Sequence, residues 1–488
     1  MPFALDLSVP PRTSRSLVRD LHRQLREAIV SGRLLPGTQI PSSRAFAVQY
    51  GVSRSTAITV YDLLLSEGFL TARQGAGTFV ADTLRSTSKA RTTHRRRRDA
   101  RLPPHVGIDA EFGSADSGPF EYDLRLGLPD KSAFPFDIWR RLSNRALRIL
   151  RSQPPAYLDP AGPTAYCRAI RAHVSFARAV ACNERNIVAT TGAQQAFDLI
   201  ARSLVEPGNT IVAVEDPGYP PLRAIFSLAG AQIRPIPVDA EGIIVDRLPK
   251  KTKIICVTPS HQFPTGVVMS LERRNALLDF AVRNDAVVVE DDYDGEFRFG
   301  GNPVDALQTL DRDDSVFYVG TFSKSLFPAL RLGFVVAPDW ARKTIVTMKK
   351  LTDWHGPALP QLTLAAFIEE GHLTRYVRRM RKIYSKRHEA LHAGLSEQCG
   401  QWLTPIPAAA GLHLAAVVHG DLNAENLVAR CASEGVRVEN LGMYSLRERG
   451  PQGFALGYGM CPYEKIGEAI ARIAIAAAKE SGTAATTY

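Results

Sequence analysis

Lys324 stands in the run Val319-Gly320-Thr321-Phe322-Ser323-Lys324-Ser325-Leu326-Phe327-Pro328-Ala329-Leu330-Arg331, among small hydroxyl residues and ahead of an arginine. Upstream lies Glu290-Asp291-Asp292-Tyr293. An amine, a carboxylate and a phenol in such company can share the handling of one heteroaromatic aldehyde. The lysine amine condenses with the aldehyde as a Schiff base and then shuttles protons. An acid must keep a pyridine nitrogen protonated so that the ring draws electrons, and Asp291 fits that role. Tyr293, two residues along on the same side of an extended segment, reaches a ring hydroxyl. A phosphate on the same molecule needs donors and positive charge. Arg331 offers a two-pronged fork, and Thr321 and Ser323 offer hydroxyls. Gly192-Ala193-Gln194 offers backbone N–H groups opening a helix over 195–204. Tyr219 can stack on the ring face. This is the set that a pyridoxal 5'-phosphate (PLP) pocket requires, with Lys324 as its catalytic residue.

Singly, these residues have plainer readings: a surface Ser-Lys pair, a solvated acidic loop, a core tyrosine. Their positions argue for the site. Ile211-Val212-Ala213-Val214, Ile254-Ile255-Cys256-Val257, Ala286-Val287-Val288-Val289 and Val316-Phe317-Tyr318-Val319 are short apolar runs rich in branched residues. Such runs suit buried, largely parallel strands. Each is followed by one of the polar motifs: Glu215-Asp216-Pro217-Gly218-Tyr219, Thr258-Pro259-Ser260-His261-Gln262, Glu290-Asp291-Asp292-Tyr293, and Gly320-Thr321-Phe322-Ser323-Lys324. Open α/β sheets bind ligands at the carboxyl ends of their strands, so the motifs should meet in one crevice.

The first eighty residues carry other chemistry. Leu17, Leu21, Leu25 and Ala28 recur at helical spacing, and Gly32-Arg33-Leu34-Leu35-Pro36-Gly37 stops that helix. Ser42-Ser43-Arg44 opens a short helix, and Gly51-Val52-Ser53 turns the chain. Ser53 caps a helix running to Glu67, with the inner stripe Ala57, Val60, Tyr61 and Leu64. Residues 69–73 and 77–80 bracket Gln74-Gly75-Ala76 as a two-stranded hairpin. Three helices and a hairpin make a winged helix-turn-helix, whose 53–67 helix enters a major groove. Arg54, Ser55 and Thr56 sit at its exposed start, within reach of base edges and phosphates. Residues 1–110 hold 17 Lys and Arg against 8 Asp and Glu, which is +9 of the chain's +11. Such asymmetry points to a polyanion.

Residues 21–80 resemble the GntR-type winged helix almost throughout. The resemblance implies DNA contacts at Arg44, Ser53, Arg54, Ser55 and Thr56, with Gln74 and Gly75 at the wing tip. Residues 119–480 resemble the fold type I aminotransferases. TPSHQFPTG at 258–266, EDDYDGEFRF at 290–299 and SKSLFPALRLG at 323–333, behind a GntR-type reader, are similar to the MocR subfamily of transcriptional regulators.

The resemblance implies a multidomain chain. A mainly α winged helix-turn-helix spans 12–82, a flexible basic linker 83–118, and an α/β fold type I aminotransferase-like, PLP-binding domain 119–488. The last divides into a large subdomain at about 166–338 and a smaller one mainly at 339–488. It also implies a head-to-tail homodimer acting on a double-stranded DNA operator. The sensed molecule is PLP itself, or an amino acid or amine detected through an aldimine at Lys324.

Two departures from working aminotransferases stand out. Their Asn-Pro-Thr-Gly, whose asparagine touches the ring hydroxyl, is here Phe263-Pro264-Thr265-Gly266, so Tyr293 and His261 must make that contact. Their C-terminal arginine, which grips a substrate carboxylate, is missing from residues 454–460. Arg223, Arg447 or Arg449 could grip an effector carboxylate instead, and spacing does not choose among them. Regulation without efficient turnover is the expectation. A transaminase that also regulates, and a cofactor-free DNA-binding dimer, are the alternatives.

Bulk composition sets the class. Apolar residues make up 45% and charged residues 22%, as in ordinary globular proteins. The six cysteines (Cys167, Cys182, Cys256, Cys399, Cys431 and Cys461) form no Cys-x-x-Cys pair, which suits a reducing compartment and argues against structural zinc. No apolar run is of membrane-spanning length, and the start lacks a basic-then-apolar leader. The expected location is the bacterial cytoplasm, on the nucleoid when DNA is bound.

Overall fold

The computed structural model describes residues 5, 7–9, 16–73, 75–81, 120–299, 305–408, 410–420, 422–447 and 450–482. The linker expected at 83–118, the wing-tip Gln74 and Arg449 lie outside the described residues. The chain divides into two compact units, Met1–Pro103 and Pro104–Tyr488.

In the first unit, helix Leu17–Val30 turns Leu17, Leu21, Leu25, Ala28 and Ile29 inward. Ser42 starts helix Ser43–Gln49 by accepting from the Ala45 N–H, and Ser53 starts helix Arg54–Ser66 by accepting from the Thr56 N–H at 3.0 Å. Both hydroxyls satisfy N–H groups that a helix start leaves without partners. Between the helices, Gly51 takes φ +66°, a conformation that favours glycine. The expected stripe Ala57, Val60, Tyr61 and Leu64 is buried. The wing has three strands rather than two: Gln39–Ile40 pairs antiparallel with Gly77–Val80, which pairs with Leu70–Arg73. A two-residue strand is too short to show a period in sequence.

The second unit is built on an eight-stranded sheet. Four parallel strands lie side by side in the order Ile211–Asp216, Thr252–Val257, Val287–Asp292 and Val316–Thr321. Gln232–Asp239 adds a further parallel strand beyond Ile211–Asp216, and Gly242–Ile243 ends that side. At the other side Gly333–Val336 runs antiparallel between Val316–Thr321 and Ile187–Thr190. Successive residues of a strand face opposite sides. Val212, Val214, Ile254, Cys256, Val289 and Phe317 therefore pack one face, with helices Ala193–Leu204 and Asp339–Asp353. Ala213, Ile255, Val257, Val288 and Val316 pack the other, with helix Leu271–Arg283.

Asp339–Asp353 buries Ala341 and Ile345 on the main sheet. A subdomain boundary at about residue 338 thus falls one helix early: the helix's apolar spacing shows that it packs, but not on what. The smaller sheet has the order Leu403–Pro405, His413–Val418, Gly453–Gly457, Glu439–Asn440. Helix His372–Cys399 backs it, and helix Tyr463–Ser481 packs on that helix. Among the described residues no helix is long and apolar enough to cross a membrane.

Phe46 is fully buried in the first unit, its ring centroid 4.6 Å from that of Tyr50 and 5.4 Å from that of Tyr61. Phe46→Ala is expected to destabilise that unit by about 3–5 kcal/mol. In differential scanning calorimetry of the full chain, the transition lost together with DNA binding should move down while the other stays in place.

Candidate functional site

The carboxyl ends of the parallel strands open onto a cavity of about 290 Å³. Lys324, Asp291, Tyr293, Tyr219, Thr321, Ser323, Ala193, Gln194 and Arg331 all line it, so residues from separate stretches of sequence meet. Lys324 is held by a main-chain group: its Nζ donates to the Gly127 carbonyl at 2.7 Å. Gly127 has φ +71°, and a Cβ there would lie 2.6 Å from that nitrogen. Burial lowers the Lys324 pKa, while the charges of Asp294 and Asp291 oppose the shift.

Asp291 is 4% exposed, and its Oδ1 has no hydrogen-bond partner among the described residues. Burial, reinforced by the Asp292 charge, pushes its pKa up to about 8, with Lys324 pulling the other way. An unsatisfied buried carboxylate oxygen facing a lysine is the partner a protonated pyridine nitrogen requires.

The phosphate end is equally distinct. Arg331 takes φ +51° and donates from Nη2 to the Thr191 carbonyl at 2.8 Å. Gly192, at φ +92°, caps helix Ala193–Leu204 without lining the cavity itself, and a Cβ on it would lie 2.9 Å from Arg331 Nη2. The Thr321 and Ser323 hydroxyls lie 3.0 Å apart beside the start of that helix.

Three expectations need correction. His261 does not line the cavity. Its ring sits behind Tyr293, with Nδ1 3.0 Å from Asp294, and the Tyr293 hydroxyl donates to the His261 carbonyl at 2.9 Å. Nor do the guanidiniums of Arg223 and Arg447 reach the wall. Arg223 donates to the Tyr444 carbonyl at 2.8 Å, and Arg447 donates to Asp216 Oδ2 at 2.7 Å.

Sequence reasoning missed Gly127 and His413. His413 comes from the smaller sheet, lines the cavity beside Phe263 and stacks on Tyr293 at 14°, with centroids 6.4 Å apart. It is 1% exposed, its Nε2 has no hydrogen-bond partner among the described residues, and burial holds its pKa well below the usual imidazole range. His261, Asp294 and His413 bring possible metal-ligand atoms within 4.8 Å of one another. Asp294 is engaged there by the Leu412 N–H at 3.2 Å as well as by His261, so the group forms a hydrogen-bonded floor under Tyr293.

In the other unit, Arg44 and Arg54 are exposed and make no ion pair among the described residues. The Ser53 hydroxyl lies 2.8 Å from those of Ser55 and Thr56 at the helix start, and Gly75 is exposed on the wing at φ +76°.

Residues 138–451 match the family "Aminotransferase class I and II", and residues 17–80 match "Bacterial regulatory proteins, gntR family". The chain is 36% identical over 441 residues to the probable rhizopine catabolism regulatory protein MocR of Rhizobium meliloti, covering 90% of this chain and 89% of that protein. The chain belongs to the MocR subfamily of GntR-type transcriptional regulators. A second relative is the HTH-type pyridoxine biosynthesis transcriptional regulator PdxR of Corynebacterium glutamicum, 30% identical over 455 residues (93% of this chain, 94% of that one). The solved LysN, an α-aminoadipate aminotransferase of Thermus thermophilus complexed with N-(5'-phosphopyridoxyl)-L-leucine, superposes with a TM-score of 0.68 at 27% identity, over 74% of this chain and 92% of that one. As in this subfamily, a DNA-binding unit is joined to an aminotransferase-like unit that binds PLP.

Asp291 makes the cofactor-free protein sensitive to pH. Its ordinary pKa is 3.8 and its folded value about 8, so the folded form binds the proton more tightly. Stability is therefore lost as pH rises from about 4 to about 8, at up to about 1.4 kcal/mol per unit. Asp291→Asn is expected to raise the thermal midpoint of PLP-free protein more at pH 8 than at pH 5. Adding PLP should abolish that advantage, because only the carboxylate can pair with a protonated ring nitrogen.

Proposed function

We propose that this MocR-type regulator detects an amino compound, or PLP itself, at Lys324 and answers with altered operator binding. When bound, PLP supplies an aldehyde carbon open to primary amines and a ring that draws electrons from it. Lys324 is the amine that holds it, and Asp291 pairs with its ring nitrogen. Tyr219 covers a ring face. Arg331, the Thr321 and Ser323 hydroxyls and the N–H groups of Ala193 and Gln194 hold the phosphate. Gly192 leaves room for the Arg331 fork. The observation that carries the reading is the partnerless Asp291 oxygen in the cavity that Lys324 lines, in a chain whose other unit presents Arg54 on a capped helix start.

At the ring-oxygen end, the aminotransferase asparagine gives way to Phe263, whose ring meets those of Tyr219, Tyr293, His413 and Tyr444. His413 replaces the lost polar contact from the smaller sheet. His413→Phe should weaken PLP binding about tenfold, the worth of one hydrogen bond. Phe263→Asn in the same chain should restore it, as read by equilibrium dialysis.

The reader contacts duplex DNA through Arg44, Ser53, Arg54, Ser55, Thr56 and the wing at Gln74 and Gly75. Membership of the MocR subfamily supports a head-to-tail homodimer that acts on two operator half-sites in the bacterial cytoplasm, associated with the nucleoid while bound. The engagement of Arg223 and Arg447 supports sensing over turnover, since neither grips a substrate carboxylate without first leaving its partner. Steady multiple turnover of an amino acid with a 2-oxo acid would favour the transaminase reading instead.

Lys324→Ala should remove the visible absorption that comes from joining the cofactor to the chain, yet leave operator binding in place. Arg54→Ala should do the reverse, lowering affinity in gel-shift titrations by at least tenfold with the absorption intact. Binding by the unmodified chain should fall steeply with salt, since several phosphate contacts release counterions. Loss of both properties in either variant would defeat this division of labour.

A further inference from the structure

A second cavity in the aminotransferase-like unit, of about 560 Å³, shares no lining residue with the cofactor pocket. Arg178, Arg298, Arg378, Arg381 and His173 line it, against the single carboxylate of Glu296. These cations are unequally engaged. Arg178, 5% exposed, donates to Asp292 at 2.7 Å and to the Ser260 hydroxyl. Arg381 donates to the Glu296 carbonyl at 2.7 Å, and the Glu296 carboxylate lies 3.7 Å from His173. Arg378 is exposed and makes no ion pair among the described residues.

Arg298 differs from all of these. Its side chain is only partly buried and lines the cavity, while its Nε and Nη1 are shut away from water and have no hydrogen-bond partner among the described residues. Burial and then the neighbouring Arg178 charge disfavour its charged form, and Asp292 only partly offsets them. A guanidinium does not escape by losing its proton, so what this side chain lacks is an anion. Phe176, 85% exposed, and Phe299 add apolar rings to the same wall.

We propose that this cavity binds a small phosphate ester with a flat apolar body, gripped by Arg298 and Arg378 and covered by Phe176 and Phe299. Guanidinium forks take phosphate oxygens two at a time, and phenyl rings supply stacking faces. The site is joined to the cofactor pocket by one ion pair. Arg178 holds Asp292, the neighbour whose charge raises Asp291, and Ser260, which precedes His261. Charge added beside Arg178 therefore reaches the acid that faces the ring nitrogen, and coupling between the two sites is reciprocal.

The test is calorimetric titration of the full-length, PLP-loaded protein, whose cofactor phosphate site is already filled. Phenyl phosphate is expected to bind at one site per chain, more tightly than inorganic phosphate, and to change PLP affinity severalfold. Arg298→Met should weaken phenyl phosphate at least tenfold without altering the cofactor's absorption, and Arg298→Lys should recover part of the loss. Should Arg298→Met not fold, Arg378→Ser on the exposed helix face should still weaken binding severalfold. Equal binding by the variants overturns the site. Displacement of phenyl phosphate by operator DNA also overturns it, by making the surface a contact for the DNA backbone. Binding that leaves PLP affinity unchanged overturns the coupling.

Discussion

Three carboxylates follow one another at the end of a strand buried on both faces, and the site depends on how each is satisfied. Alternation along Val287–Asp292 sends Glu290 and Asp292 to one side and Asp291 to the other. On the first side Glu290 is matched at both oxygens and Asp292 at its Oδ2. Glu290 accepts the N–H groups of Leu307 and Gln308 at 2.8 and 2.9 Å, and Asp292 accepts from Arg178 at 2.7 Å and from the Tyr318 hydroxyl at 2.6 Å. On the other side Asp291 Oδ1 has no hydrogen-bond partner among the described residues. An ionised group buried without a partner is among the largest penalties a fold can carry, and Asp291 avoids it by keeping its proton up to a pH of about 8. The fold thus holds an unmatched acid of defined position, and a protonated ring nitrogen is its complement.

The surrounding backbone is shaped around that point. Gly320 lies where a Cβ would meet the Phe334 ring at 2.2 Å, and Gly333 lies where one would meet the Gly192 backbone at 2.8 Å. Those two contacts pack the antiparallel strand Gly333–Val336 against its neighbours and bring Arg331, just before it, to the start of helix Ala193–Leu204. The same close approach places the Thr321 and Ser323 hydroxyls beside the helix N-terminus, whose N–H groups favour negative charge. Phosphate recognition therefore follows from sheet packing as much as from the basic residue itself.

Much of this was legible because the parallel strands are buried on both faces and read as unbroken branched runs, each followed by its polar motif. Lys324, Asp291, Tyr293, Arg331 and Tyr219 could be located from those runs alone. Residues delivered from far along the chain could not. Gly127 contributes only a carbonyl, and His413 sits on a strand of the smaller sheet whose sequence Leu414-Ala415-Ala416-Val417-Val418 shows nothing but a core. His261 illustrates the converse. It belongs to a motif that does reach the cavity, through Phe263, but Asp294 draws its ring to the far side of Tyr293. The short strands Gln39–Ile40 and Gly242–Ile243 fell below the length at which a period is visible.

The arginines carry the distinction between sensing and turnover. Asp216 is 1% exposed, and it accepts from Arg447 Nε, from the Leu446 N–H at 2.8 Å and from the Ser445 hydroxyl at 3.2 Å. Any ligand carboxylate that recruits Arg447 must take it from that buried partner. The penalty is several kcal/mol at most, because Arg447 itself is about half in water. Even a fraction of that amount would slow a cycle in which the grip forms and releases at every turnover, since about 1.4 kcal/mol is a factor of ten. A single binding event has no such repetition to sustain: a ligand amine reacting at the Lys324 position needs only the aldehyde carbon, and Arg447 stays where it is. The hold of Asp216 on Arg447 thus supports the proposed detection, which needs no carboxylate grip that forms and releases.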